Sequence, residues 1–191
     1  HSKRVSVAGG MDEKQLAGQL EYIDELNGRY SGFRLIKSIE VDILPDGSLD
    51  LPDGILKELD LVICSIHYNQ NLSMEKQTTR VLKAMDNPCF DIFAHPTGRL
   101  IGSREPYEID MQRVMEAAKE RGCFLEINAH PQRLDLSDVH ARMARDMGLK
   151  VPISTDAHSK EHLQNIVYGV NQARRGWLTR DDVLNTRPWE E

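Results

Sequence analysis

The chain is poor in cysteine, poor in aromatic residues and free of long apolar runs, and these shortages each remove a class of protein. Its three cysteines, Cys64, Cys89 and Cys123 among 191 residues, are odd in number, far apart and without a C-x-x-C pair. That pattern supplies neither a disulfide framework nor a thiolate metal knot, so the three read as reduced packing residues. No stretch approaches the roughly 20 apolar residues that cross a bilayer. His1-Ser2-Lys3-Arg4 leads into no signal-like apolar segment, so a cytoplasmic location without a membrane partner is expected. Positive charge is in deficit, with 24 Lys and Arg against 30 Asp and Glu and a formal net charge of -6. A protein that holds nucleic acid by surface charge alone is usually basic. Phosphate chemistry here therefore requires a local positive field, which bound divalent cations would supply.

What is present is an ordinary mixture, 40% hydrophobic and 28% charged, with no low-complexity stretch and no linker rich in glycine, serine or proline. The length suits one sizeable core, so residues 1–191 are expected to form a single domain. Apolar, strand-like runs at Phe33 to Val41, Leu61 to Ile66, Asp91 to Ala94, Phe124 to Ile127 and Val151 to Ser154 alternate with helical periodicity. Helix starts are signalled by Asp12 before Leu16, Leu20, Ile23 and Leu26, by Ser73 before Val81 and Met85, and by Ser137 before Met143 and Met147. Gly28 and Gly148 stand where helices should end. Strand and helix in alternation predict an α/β fold on a parallel sheet, either a barrel or a doubly wound sheet.

The polar residues that carry chemistry follow the same rhythm. Glu40, His67, His95, Asn128 and Asp156 fall at or just after successive strand ends, separated by 27, 28, 33 and 28 residues, and a βαβ unit takes about 30 residues. In parallel α/β folds the carboxyl end of the strands is where sites are built. Imidazole and carboxylate together suit zinc, manganese or iron better than magnesium or calcium. His158 joins the set through Ser154-Thr155-Asp156-Ala157-His158, in which the acid and the imidazole lie two apart after an apolar strand.

Each of these residues has a blander alternative. Glu40 in its strand is costly to bury without a partner, so the alternatives are a ligand or a surface carboxylate; the common period favours ligand for Glu40, His67 and His95 over exposed or core residues. Asp42, on the same face, either orients a neighbour or is solvated. Arg99, after the turn of Pro96 and Gly98, is read as aiming its guanidinium fork at a phosphate, against a solvated loop arginine. Asn128 is read as positioning substrate or a neighbouring ligand. His130 reads more readily as a bystander than as a rim residue, and His140 and His162 as surface residues of helices. Trp177 and Trp189 flank a threonine and acids that look like a further helix start, and are read as packing the last helix.

These motifs resemble the PHP (polymerase and histidinol phosphatase) domain at the C-terminal end of bacterial family X DNA polymerases. The resemblance runs nearly end to end. It is carried by His1-Ser2-Lys3-Arg4, Ile39-Glu40-Val41-Asp42-Ile43-Leu44, Ser65-Ile66-His67-Tyr68, His95-Pro96-Thr97-Gly98-Arg99, Glu126-Ile127-Asn128 and Ser154-Thr155-Asp156-Ala157-His158-Ser159. Gly47-Ser48-Leu49-Asp50-Leu51-Pro52 and Arg174-Arg175-Gly176-Trp177-Leu178 look like the polymerase subgroup. The resemblance implies a distorted (β/α)7 TIM-like barrel holding up to three metals, usually manganese, with His1, Glu40, His67, His95, Asp156 and His158 as ligands. It also implies 3′-5′ exonuclease and end-processing chemistry in DNA repair, with DNA 3′ ends as substrate and polymerase domains of the same parent chain as partners.

The family places an H-x-H pair upstream of its His-Ser motif, whereas this sequence opens on that motif's histidine. The expectation is therefore a fragment lacking the first strands of the barrel, with exposed strand edges that invite association, fewer metals and weak or no activity. In the intact site, hydroxide activated between two metals about 4 Å apart would attack phosphorus in line, with Arg99 stabilising the spreading charge. Two other readings stand beside the nuclease: a phosphatase for a small phosphomonoester such as histidinol phosphate, and a non-catalytic module that supports a polymerase.

Overall fold

A computed structural model describes residues 1–5 and 9–188. Helix α1 (Glu13–Arg29) begins at Asp12, whose carboxylate accepts the Gln15 N–H while the Gln15 side chain returns to the Asp12 N–H. This reciprocal cap satisfies two donors that the first turn leaves open. Leu16, Leu20 and Ile23 form the buried stripe of α1. Gly28 does not end the helix: it lies inside the last turn and the cap is Tyr30, because this helix leaves in extended backbone and needs no left-handed residue. Gly148 does occupy a left-handed position (φ +75°) after the helix Asp138–Asp146, as Gly122 does after the helix Met111–Arg121.

The strands are short and all paired in parallel. β1 (Ser38–Asp42), β2 (Leu61–Ser65), β3 (Ile92–Phe93) and β4 (Phe124–Leu125) form one sheet in sequence order, and β5 (Ile127–Asn128) pairs with β6 (Ile153–Ser154). Between them run α2 (Asp53–Leu56), α3 (Met74–Met85), α4 (Met111–Arg121) and α5 (Asp138–Asp146), and α6 (Ile166–Arg175) follows β6. Helices between parallel strands, with β1 to β4 in sequence order and β5 beside β6, make the α/β arrangement that the periodicity implied. The first strand is shorter than the run Phe33 to Val41 suggested: Phe33 and Ile36 are exposed, and pairing starts at Ser38. The run Phe124 to Asn128 changes partner at Glu126, whose N–H reaches Phe93 O in β3 while the Ile127 N–H reaches Pro152 O.

Both outer edges are met at named positions, which departs from the expectation of bare edges. Beside β1, the Ser2 N–H donates to Glu40 O and the Asp42 N–H to Ser2 Oγ. Beside β6, the Asn185 side chain accepts from the Ile153 N–H and donates to Ile153 O, standing in for a strand. Edge groups satisfied in this way present less template to another chain.

Val41, Cys64, Phe93, Leu125 and Ile127 on the strands pack with Val81, Val114, Met115 and Ala141 on the helices in one core. All three cysteines are buried and free. Trp177 is an exception to the packing expectation: it is exposed, with the Arg142 guanidinium 5.6 Å from its ring centroid, while its neighbour Leu178 is buried. Trp189 lies outside the described residues. Thr179 does start a turn of 3-10 helix, closed by a reciprocal cap with Asp182. No helix among the described residues is long and apolar enough to cross a membrane.

Arg80 in α3 fixes the strand ends that carry the site. It is buried, and its guanidinium donates to Leu44 O (3.0 Å), to Tyr68 O (3.0 Å) and to Ile43 O. One side chain thus ties the segment after β1 to the segment after β2. Replacing it with methionine would remove the guanidinium donors to Ile43 O and Tyr68 O and leave Leu44 O with the Gly47 N–H alone, and an unsatisfied buried group costs about 1–3 kcal/mol. Arg80→Met should lower the unfolding free energy by about 3 kcal/mol in urea titration; an unchanged midpoint would show that the clamp carries no stability.

Candidate functional site

The carboxyl ends of β1, β2 and β3 deliver Glu40, His67 and His95 to one place. Glu40 lies in β1, and its carboxylate faces the imidazoles that follow β2 and β3: Oε1 is 3.3 Å from His67 Nε2 and 3.0 Å from His95 Nε2. Oε2 is 3.3 Å from His1 Nδ1. The His1 and His67 ring centroids are 5.3 Å apart, and those of His67 and His95 5.6 Å. His158 stacks on His1 at 5.9 Å and its Nδ1 is 3.6 Å from an Asp156 carboxylate oxygen. Six imidazole and carboxylate groups that sequence separates by up to 157 positions thus meet in a chain of contacts from Glu40 to Asp156. His1, Glu40 and His67 each offer a donor atom, all within 4.8 Å of one another.

A ring of buried polar groups orients these donors. Asp42, fully buried, accepts the His67 N–H (2.9 Å) and lies 3.3 Å from His67 Nδ1, where Ser65 Oγ also sits at 3.1 Å. Holding Nδ1 leaves Nε2 turned toward Glu40, the usual way in which an outer partner fixes an imidazole donor. Asn128, fully buried, donates to Asp156 Oδ2 (3.1 Å) and to Glu126 Oε2 (3.2 Å) and accepts the His130 N–H (2.9 Å). Its polar atoms are thereby committed to neighbours, and of the two roles read from sequence the geometry matches positioning Asp156. His95 and Asp156 both have left-handed backbone, φ +31° and +50°, which is uncommon outside glycine and concentrates at functional sites.

Burial and hydrogen bonding pull the titrations apart. Burial by itself would raise the Glu40 pKa, but hydrogen bonds from His67 and His95, with their positive charge, hold it well below the ordinary value. Burial would lower that of His67, yet its bonds to Asp42 and Glu40 prevail and raise it to about 9. Glu126 behaves oppositely: burial pushes it up to about 7 against the pull of His95 and the Ser154 hydroxyl.

Two findings depart from the sequence reading. Arg99 does not face the cluster. Its Nε donates to Arg133 O (2.8 Å) and its Nη2 to Leu134 O, because the turn at Gly98 (φ +62°), packed against the Tyr107 ring, directs it into the 130–136 loop. Two other arginines stand beside the cluster: Arg133, whose Nε lies 3.4 Å from Asp156 Oδ2, and Arg4, whose Nε lies 3.8 Å from Asp42 Oδ2. Glu126 was missed as well, although a buried carboxylate in the apolar run Phe124 to Ile127 is the same signal that singled out Glu40. His130 and His162 pair edge to face with centroids 5.7 Å apart, and half-buried His140 lies on α5.

The chain is similar in sequence to known proteins. No protein-family profile matches the chain. The DNA polymerase/3′-5′ exonuclease PolX of Bacillus subtilis (strain 168) is 44% identical over 187 residues, 98% of this chain and 33% of that protein. A probable phosphatase of Thermoanaerobacter sp. (strain X514) is 33% identical over 179 residues, 88% of this chain and 69% of its own length. The chain belongs to the PHP domain family of bacterial family X DNA polymerases. A probable phosphatase of Caldanaerobacter subterraneus, 35% identical over 151 residues and matched over 56% of its length, is a further relative of this PHP chain. The chain spans about a third of the Bacillus polymerase and somewhat over two thirds of the Thermoanaerobacter phosphatase.

The raised His67 pKa makes the stability of the metal-free PHP chain depend on pH. The folded value of about 9 lies above the ordinary 6.5, so the stabilisation is fully present below about pH 6.5 and lost as pH rises through about 9. In chelator, unfolding free energy should fall across that window, and His67→Gln should flatten the fall. A profile with the same slope in both proteins would assign the loss to other groups.

Proposed function

We propose that this chain is a metal-dependent phosphoesterase domain that hydrolyses DNA at 3′ ends. The observation that carries this reading is the convergence of His1, His67 and His95 on the Glu40 carboxylate at the carboxyl ends of parallel strands. The 44% identity over nearly the whole chain to a protein named as a 3′-5′ exonuclease favours DNA as the substrate. A location in the cytoplasm, a fold completed as a distorted (β/α)7 barrel and polymerase domains as neighbours in a longer parent belong to the same proposal.

The donor set fits divalent transition metals. Three imidazoles and a carboxylate whose free donor atoms face one another satisfy the preference of manganese, zinc or iron for mixed nitrogen and oxygen ligation. His1, Glu40, His67 and His95 would hold metal on one side, and Asp156 with His158 on the other, manganese being the first choice. A cation bound there supplies Lewis acidity toward the phosphoryl group and lowers the pKa of water.

The chain's own residues perform the remaining work. Asp42 and Ser65 hold His67 in one orientation, Glu126 fixes the His95 backbone by accepting its N–H at 2.7 Å, and Asn128 aims Asp156. Pre-orientation of this kind removes reorganisation at the moment of reaction. Arg99, with its guanidinium bonded to Arg133 O and Leu134 O, shapes the loop that bears Arg133.

A small-molecule phosphatase is the second reading, favoured by the several relatives named as phosphatases. Incubation of the full-length parent protein with manganese and either a 3′-labelled single strand or histidinol phosphate separates the two. Release of nucleotides from the 3′ end, abolished by chelator and reduced by at least about 10²-fold in His67→Ala or His95→Ala, is the expected result. Phosphate freed from the small ester while DNA stays intact would transfer the assignment to the phosphatase. Inactivity in every substrate with full metal occupancy would leave the supporting module.

A further inference from the structure

The rim beyond Asp156 carries a cationic group that the cluster of donors does not use. Arg133 emerges from the loop after β5, which is held unusually firmly. Arg99 donates to the carbonyls of Arg133 and Leu134, the Asp135 carboxylate accepts from the Thr97 N–H and hydroxyl (both 2.9 Å), and Gln172 donates to Leu136 O (3.1 Å). The Arg133 side chain is four-fifths buried, with 19% exposure. Only one branch of it has a counterpart: Nε lies 3.4 Å from Asp156 Oδ2, whereas Nη1 is buried and has no acceptor. A buried guanidinium N–H without an acceptor is costly, and here it is kept at the edge of the candidate site.

Charge around this group points to an anion. The single carboxylate of Asp156 is shared by Arg133, His158 and the Asn128 amide. His130 and His162 stand together on the same side; burial lowers the pKa of His130, the Asp156 charge opposes that, and the positive charges of Arg133, His162 and His158 add to the lowering. Each of these two rings has its Nδ1 occupied by a backbone N–H, of Gln132 and His158 respectively, which leaves Nε2 for another partner. One carboxylate facing one arginine and three imidazoles leaves cationic and donor capacity in excess.

We propose that Arg133, with His130 and His162 beside it, binds the phosphoryl oxygens of the substrate, the role that sequence spacing gave to Arg99. The assignment rests on the hydrolase reading for its catalytic meaning, but the anion site stands on its own geometry. Arg99 then acts as a positioning residue, setting through the two carbonyls the direction of Arg133. The planar fork suits two oxygens of one phosphate, with an N–H already free to donate.

The test uses inorganic phosphate as probe and the 191-residue chain with manganese, alongside Arg133→Ala, Arg133→Lys and His130→Ala. Phosphate affinity by calorimetry should weaken by about tenfold or more in Arg133→Ala and recover only in part in Arg133→Lys, since a point charge does not replace the fork. In the full-length parent protein, hydrolysis of the 3′-labelled strand should lose on the order of 10²-fold in kcat/KM in Arg133→Ala, with manganese stoichiometry and thermal midpoint retained. His130→Ala should show a smaller loss of phosphate affinity and no change in metal content. Wild-type phosphate affinity in Arg133→Ala, or a variant whose only defect is lost manganese or a lowered midpoint, would make Arg133 merely the counter-ion of Asp156 and overturn the proposal. Phosphate binding that depends on Arg133 without hydrolysis would reject the hydrolase reading alone. Hydrolysis indifferent to Arg133 would reject the anion site alone.

Discussion

A carboxylate held among imidazoles at the mouth of a parallel sheet is the interaction from which the rest of this structure takes its form. Glu40 is drawn from water, which raises the cost of its charge, and the contacts with His67, His95 and His1 outweigh that cost. Three segments must therefore end at one level. β1 and β2 do so through their ladder register, Glu40 opposite Ile63 and Asp42 opposite Ser65, and β3 follows by pairing with β2. Arg80 reinforces the arrangement from behind by linking the segments that leave β1 and β2.

The outer layer of polar contacts explains why so many buried groups around the cluster are charged or hydrogen-bonded. Asp42, Glu126, Asn128 and Asp135 are each buried, and each accepts from or donates to backbone at a strand end or loop. Glu126 is the most informative of them. It stands where one strand run changes partner from β3 to β6, holds the His95 N–H and the Ser154 hydroxyl, and shares Asn128 with Asp156. Burial leaves it close to half-protonated near neutrality, so the same residue that joins the two sheets also links the Glu40 side of the cluster to the Asp156 side.

Much of the site was legible because two periods coincide. The strand-helix unit repeats at about 30 residues, and Glu40, His67, His95, Asn128 and Asp156 repeat with it; the structure puts Glu40 within β1 and the other four at or just after strand ends, and brings them into one contact network with His1 and His158. Strand limits were less legible. Phe33 and Ile36 have strand-like character but no partner strand, so they remain exposed. Gly28 looked like a helix terminus because sequence shows glycine's freedom without showing whether the chain uses it.

Sequence by itself determined the alternation of elements, the polarity of the sheet and the identity of the groups at its carboxyl end, since these follow from local periodicity and from the length of one crossover. Tertiary structure alone decided which arginine faces the acids. Arg99 and Arg133 are chemically equivalent in the sequence, and the choice between them depends on where a left-handed glycine, a tyrosine ring and two backbone carbonyls lie. It likewise decided that Glu126 is a hub: its place in an apolar run was visible in the sequence, but its partners, the His95 N–H and the Ser154 hydroxyl, are distant along the chain and no local pattern encodes them.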